Sequence, residues 1–136
     1  MARPFRLQAP RVPEHPLQKQ IADVLRIEIA PPGKVSRAGV VWWSIDHANY
    51  AGEVPGIRLD RGIIAGIPDV FIAWLGRAHL IEIKTDDGEV SAAQRAVITA
   101  AAVSGMQVGV ARNATEVLAC VDRWQIPRAH RVREAA

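Results

Sequence analysis

A single cysteine, Cys120, in a chain of 136 residues excludes an internal disulfide and any cysteine-rich zinc site. It falls within an apolar helical pattern, as a small buried side chain would. Histidine is scarce too: His15, His47, His79 and His130 show no metal-ligand spacing, which disfavours zinc. No apolar run reaches transmembrane length and no signal-peptide core is present, so a cytoplasmic location is expected. No internal repeat or low-complexity tract divides the chain. Acid is missing from the start, where Arg3, Arg6 and Arg11 precede the first carboxylate, Glu14.

What is present suits one folded domain. Hydrophobic residues make up 49% and charged residues 23%, at a length sufficient for one core but not two. Net charge is +3 and the pI about 9.6, with arginine concentrated at the ends. Arg123, Arg128, Arg131 and Arg133 stud the C-terminal region, against Asp122 and Glu134. Such arms contact phosphates and make binding salt-dependent, though solvated termini look the same. Both carry proline (Pro4, Pro10, Pro127) and little periodicity. The expected organisation is a basic arm over 1–12, a domain over 13–124 and a basic tail over 125–136.

The densest chemical information lies between Gly66-Ile67-Pro68-Asp69 and Ile81-Glu82-Ile83-Lys84. Residues 67 to 75 and 79 to 83 are rich in β-branched and aromatic types and predict two strands. A two-residue type II′ turn at Gly76-Arg77 would set Leu75 opposite Ala78, Phe71 opposite Glu82 and Asp69 opposite Lys84. Side chains repeat every two residues along a strand, so Asp69, Glu82 and Lys84 would share one face. A three-residue turn would break that parity. Two carboxylates can hold a hard cation such as Mg²⁺, which would polarise a phosphate oxygen and acidify the attacking water. Lys84 could orient that water and offset charge on the phosphate. The same three residues could instead form an exposed salt-bridge ladder, worth under about 1 kcal/mol per pair.

At these residues the sequence resembles the PD-(D/E)xK nucleases, and more closely their virus-type replication-repair branch, the VRR-NUC domain. The resemblance covers roughly residues 13 to 124 and includes Gly88-Glu89-Val90-Ser91-Ala92-Ala93-Gln94. It implies an α/β fold, a restriction-endonuclease-like core with a central mixed β-sheet flanked by helices. It implies that Asp69, Glu82 and the main-chain carbonyl of Ile83 ligate Mg²⁺ or Mn²⁺, that Lys84 assists the nucleophile and that Gln94 supports the site. Glu14 matches the acid that the family carries on its first helix. Pro16 follows Glu14, then Leu17, Ile21, Val24 and Leu25 at helical spacing, which sets Glu14 in line with the buried stripe. An acid at a helix N-terminus also serves the helix dipole. Glu28 and Asp23 are weaker candidates. Ser91 and Gln94 also read as a capping box, which is compatible with a supporting role. Asp86, Asp87 and Glu89 read as a solvated acidic turn.

The remaining elements follow from local signals. Pro31-Pro32-Gly33 breaks the first helix, and residues 38 to 46 read as a strand. Residues 47 to 62 form a long connection in which Asn49, Arg58 and Arg61 are candidates for phosphate contact, joined by Arg11 and Arg123 from the arms. Trp42, Trp43 and Tyr50 could stack on an unpaired base, although one of two adjacent strand tryptophans more often enters the core. A helix over 91–104 closed by Gly105, a strand over 106–112 and a helix capped by Asn113 complete the order. Strand, helix, strand implies a parallel crossover. The resemblance implies a DNA endonuclease, structure-selective in the manner of junction resolvases, homodimeric, with a phage or prophage origin. Rival readings are a flap, nick or sequence-specific nuclease, a catalytically inactive or partner-dependent DNA-binding module, and a purely structural or regulatory domain. A protein partner could supply targeting.

Overall fold

The structure is a computed structural model and describes residues 14 to 46 and 60 to 129, the side chains of residues 14 and 15 excepted. Helix α1 (Glu14–Glu28) buries Leu17, Ile21 and Leu25, one per turn, with Ile29 continuing the stripe. Four strands follow among the described residues: β1 (Val41–Ser44), β2 (Val70–Trp74), β3 (Arg77–Ile83) and β4 (Gln107–Ala111). Helix α2 (Ala92–Val103) lies between β3 and β4 in the chain, and α3 (Ala114–Arg123) comes last. The sheet order is β1-β2-β3-β4, antiparallel except for the parallel β3–β4 pair. This is the expected mixed sheet flanked by helices. No described helix is long and apolar enough to cross a membrane.

Strand alternation sorts the side chains into two layers. Trp42, Val70, Ile72, Ile81, Ile83 and Ala111 join the stripe of α1 and Val117, Cys120 and Val121 of α3 in the main core. The opposite face carries Trp43, Phe71, Leu80 and Glu82, by the pairing Trp43–Phe71–Leu80 across β1, β2 and β3. Leu80 and Ala101 of α2 are buried outside the main core, whereas Trp43 is exposed. Helix α2 therefore covers only the β3–β4 side of this second face.

Three boundaries differ from the sequence reading. The first strand is shorter than 38–46, because Gly39 (φ 84°) turns the chain and its N–H donates to the Ser36 carbonyl. The hairpin turn is Leu75-Gly76, both at positive φ (50° and 71°), as in a type I′ turn, rather than Gly76-Arg77. Packing also continues beyond Trp124: Ile126 is buried, and Arg128 donates from Nε to Glu28 at 2.8 Å and pairs with Asp122 at 3.1 Å. Residues 125 to 129 thus belong to the packed body rather than to a tail.

Candidate active site

The hairpin correction moves the register by two residues, so parity survives. Trp74 opposes Arg77 and Val70 opposes Ile81. The regular register ends there: Asp69 lies just before β2, and Phe71 stands opposite Leu80 rather than Glu82. The Asp69 N–H donates to the Ile81 carbonyl at 3.1 Å, which holds the two acid-bearing strands together at this point. Lys84, two residues beyond Glu82, shares the face, and its Nζ lies 3.8 Å from Glu82 Oε1.

Burial changes the meaning of this cluster. Glu82 is 1% exposed, Asp69 5%, and the Lys84 side chain 16%. An exposed ladder is therefore ruled out. Two carboxylates held out of water at one end of a sheet lose hydration, so stability is a poor reason to keep them. Their hard oxygen donors fit a divalent cation of the Mg²⁺ class. The Ile83 N–H donates to Asp69 Oδ2 at 2.8 Å. A strand residue directs its N–H and C=O to the same edge, so the Ile83 carbonyl also faces the Asp69 side.

Each acid is held by a neighbouring helix. Gln94 Nε2 donates to Glu82 Oε1 at 2.8 Å, while its Oε1 accepts from the Ser91 N–H at 2.9 Å. The Ser91 hydroxyl accepts from the Gln94 N–H, completing the capping box. One side chain both caps α2 and contacts the acid. Gln18 Nε2 donates to Asp69 Oδ1 at 3.2 Å, a contact missed at the level of sequence. The available signal was its position one helical turn after Glu14. Gln18 brings the first turns of α1, and so the backbone of Glu14, to the site.

The glycine of the Gly-Ile-Pro-Asp run has a steric purpose. Gly66 (φ 89°) lies against the first turn of α2, where a Cβ would stand 2.5 Å from the Ala93 carbonyl oxygen. The loop carrying Asp69 and the helix carrying Gln94 can touch only because position 66 has no side chain.

The other candidates fall elsewhere. Asn49, Arg58 and Arg11 lie outside the described residues. Arg61 is exposed in the loop before β2. Arg123 is at the opposite end of the sheet from the acids, lining a cavity of about 620 Å³ with Trp74, Arg77, His79, Gln107 and Trp124. Asp86, Asp87 and Glu89 are exposed, and Arg112 donates to the carbonyls of Thr85 (2.6 Å) and Gly88 (2.7 Å) to pin their loop. Asp23 is solvated beside Lys19 and Arg26, and Glu28 pairs with Arg128.

Set against solved structures, the chain superposes on a VRR_NUC domain protein with a TM-score of 0.53 and 21% identity, covering 83% of this chain and 88% of that one. The chain has a VRR-NUC-like fold. No protein-family model matches it, and a search of curated proteins finds no match. The likeness is thus one of architecture, and in that architecture Asp69, Glu82 and Lys84 lie at one end of the VRR-NUC-like sheet.

Proposed function

We propose that this protein is a divalent-metal-dependent nuclease that hydrolyses phosphodiester bonds in DNA. The observation that carries the reading is the pair of buried acids, Asp69 and Glu82, at one end of the sheet, with Lys84 beside Glu82. Asp69, Glu82 and the Ile83 carbonyl, with Glu14 from α1, would hold Mg²⁺ or Mn²⁺, which when bound supplies Lewis-acid polarisation of a phosphate oxygen. Lys84 orients the attacking water and offsets the charge that builds on the phosphate during in-line displacement. Gln94, Gln18 and the Ile83 N–H fix the carboxylates, so that little reorganisation is needed when substrate arrives. Structure selectivity and a two-fold dimer complete the proposal, since symmetric cuts on a branched DNA call for two related sites.

The test is cleavage of labelled four-way junction, flap, nicked duplex, continuous duplex and single strand, with Mg²⁺, Mn²⁺ or chelator. The expected result is metal-dependent cutting that is lost in Glu82→Gln and Lys84→Ala proteins of unchanged fold. Symmetric cuts on the junction would support the dimeric form. Equal cutting by wild type and both variants would overturn the mechanism.

A further inference from the structure

Among strand tryptophans, one normally faces the core and its neighbour faces out. Here the two have very different surroundings. Trp42 is 1% exposed, and its indole N–H donates to the Ala30 carbonyl at 2.7 Å, which locks the orientation of β1. Alternation then forces Trp43 onto the opposite face, where it is 42% exposed. Trp43 pairs with Phe71 across the strands, and their rings stack with centroids 4.6 Å apart and planes 23° from parallel. One π-face of the indole is thus occupied by Phe71, and much of the residue stays in water.

The position of this stack gives it meaning. Phe71 stands opposite Leu80, and Glu82 lies two residues further on the same face of β3, about 7 Å along the strand. That is about two steps of a nucleic-acid strand at ~3.4 Å each. The Ile45 N–H donates to the Asp69 carbonyl at 2.8 Å, so β1 runs alongside the acid-bearing end of β2. A large aromatic surface left in solvent gains by stacking, and an unpaired base supplies a planar partner of matching size. A base inside a continuous duplex has both faces already covered by its neighbours, and must leave the stack to reach such a surface.

We propose that the Trp43–Phe71 stack is a base-stacking platform that seats an unpaired nucleobase beside the phosphate to be cut. The preferred substrate is then DNA interrupted by an unpaired segment at the cleavage position. The proposal rests on the nuclease reading for its link to cutting, but the stacking itself is measurable without cleavage.

The experiment measures binding in chelator at fixed salt, using a gapped duplex, a flap and a continuous duplex, with 2-aminopurine placed through the unpaired segment. Wild type is expected to bind the gapped and flapped DNA more tightly and to quench the probe. Trp43→Ala should weaken those two on the order of ten-fold, leaving the continuous duplex unchanged. Trp43→Phe should retain most of the preference. Trp43→Leu keeps apolar cover over Phe71 without a π-face, and should behave as Trp43→Ala does. Equal losses on all DNAs, or no loss in either the alanine or the leucine variant, would overturn the proposal. So would an assembly that Trp43→Ala dissolves with no change in probe quenching, since the platform would then hold a second copy of the chain. A stacking preference lost with Trp43, in a protein that cuts no DNA with any metal, would keep the platform and sink the nuclease reading.

Discussion

Gln94 stands at the junction of two jobs, and its neighbour Ser91 separates them. Ser91→Ala removes the hydroxyl that caps α2 but leaves the Gln94–Glu82 bond in place. Gln94→Ala removes the bond to Glu82 and the acceptor for the Ser91 N–H, while the backbone N–H of residue 94 still donates to the Ser91 hydroxyl. Each should lower stability by about 1 kcal/mol in urea titrations. Only Gln94→Ala should also depress cleavage. Parallel losses of activity in the two proteins would reduce Gln94 to a cap. Gly66 invites a similar comparison. Gly66→Ala meets the Ala93 carbonyl and a positive φ together, whereas Gly76→Ala has the same kind of φ with nothing within 4 Å. The first should cost at least about 2 kcal/mol and the second about 1, read from the same titrations.

At the level of the elements, the hairpin shows which parts of the sequence were readable. Glycine at the second turn position left leucine at the first, an uncommon residue for the left-handed region, so Gly76-Arg77 was the natural choice. The error displaced every cross-strand partner by two and still kept Glu82 and Lys84 on one face, because strand side chains repeat with period two. Leu75 is 75% exposed and makes little use of its apolar side chain. Leu75→Asn should therefore stabilise the turn by about 1 kcal/mol and raise Tm, as Asn-Gly suits both positions. An unchanged or lower Tm would mean that the leucine packs usefully. Helix α2 was legible from its capping box and Gly105, and the crossover from element order. Gln18 and Gly66 were not, because their significance lies in contacts with residues 51 and 27 positions away, which local patterns do not encode.

For the molecule as a whole, acid sensitivity should trace to the main core. His79 is 2% exposed, its Nδ1–H donates to the Ile72 carbonyl at 3.1 Å, and its ring lies against Trp124. Burial first, and the charge of Arg77 after it, push its pKa below the ordinary histidine value, although the bond to Ile72 opposes this. The folded state thus favours the neutral ring, while the unfolded chain takes up a proton near pH 6.5. The stability from this group is complete above about pH 6.5 and falls as the pH drops toward the folded value. His79→Gln, which retains a donor for Ile72, should flatten that part of the stability-versus-pH curve. A curve of the same slope in both proteins would place the sensitivity elsewhere.

Helix α1 also decides what can be attached to this protein and where. Its first turns reach Asp69 through Gln18, and its last turn reaches Arg128 through Glu28. Fifteen helical residues span about 22 Å. A fusion partner or surface tether placed ahead of residue 14 would therefore join the described body beside the acids, on the approach that the proposed DNA substrate would use. One added after residue 129 would join it at the far end of the helix, leaving the approach open, which makes the C-terminus the better handle for immobilised or single-molecule work.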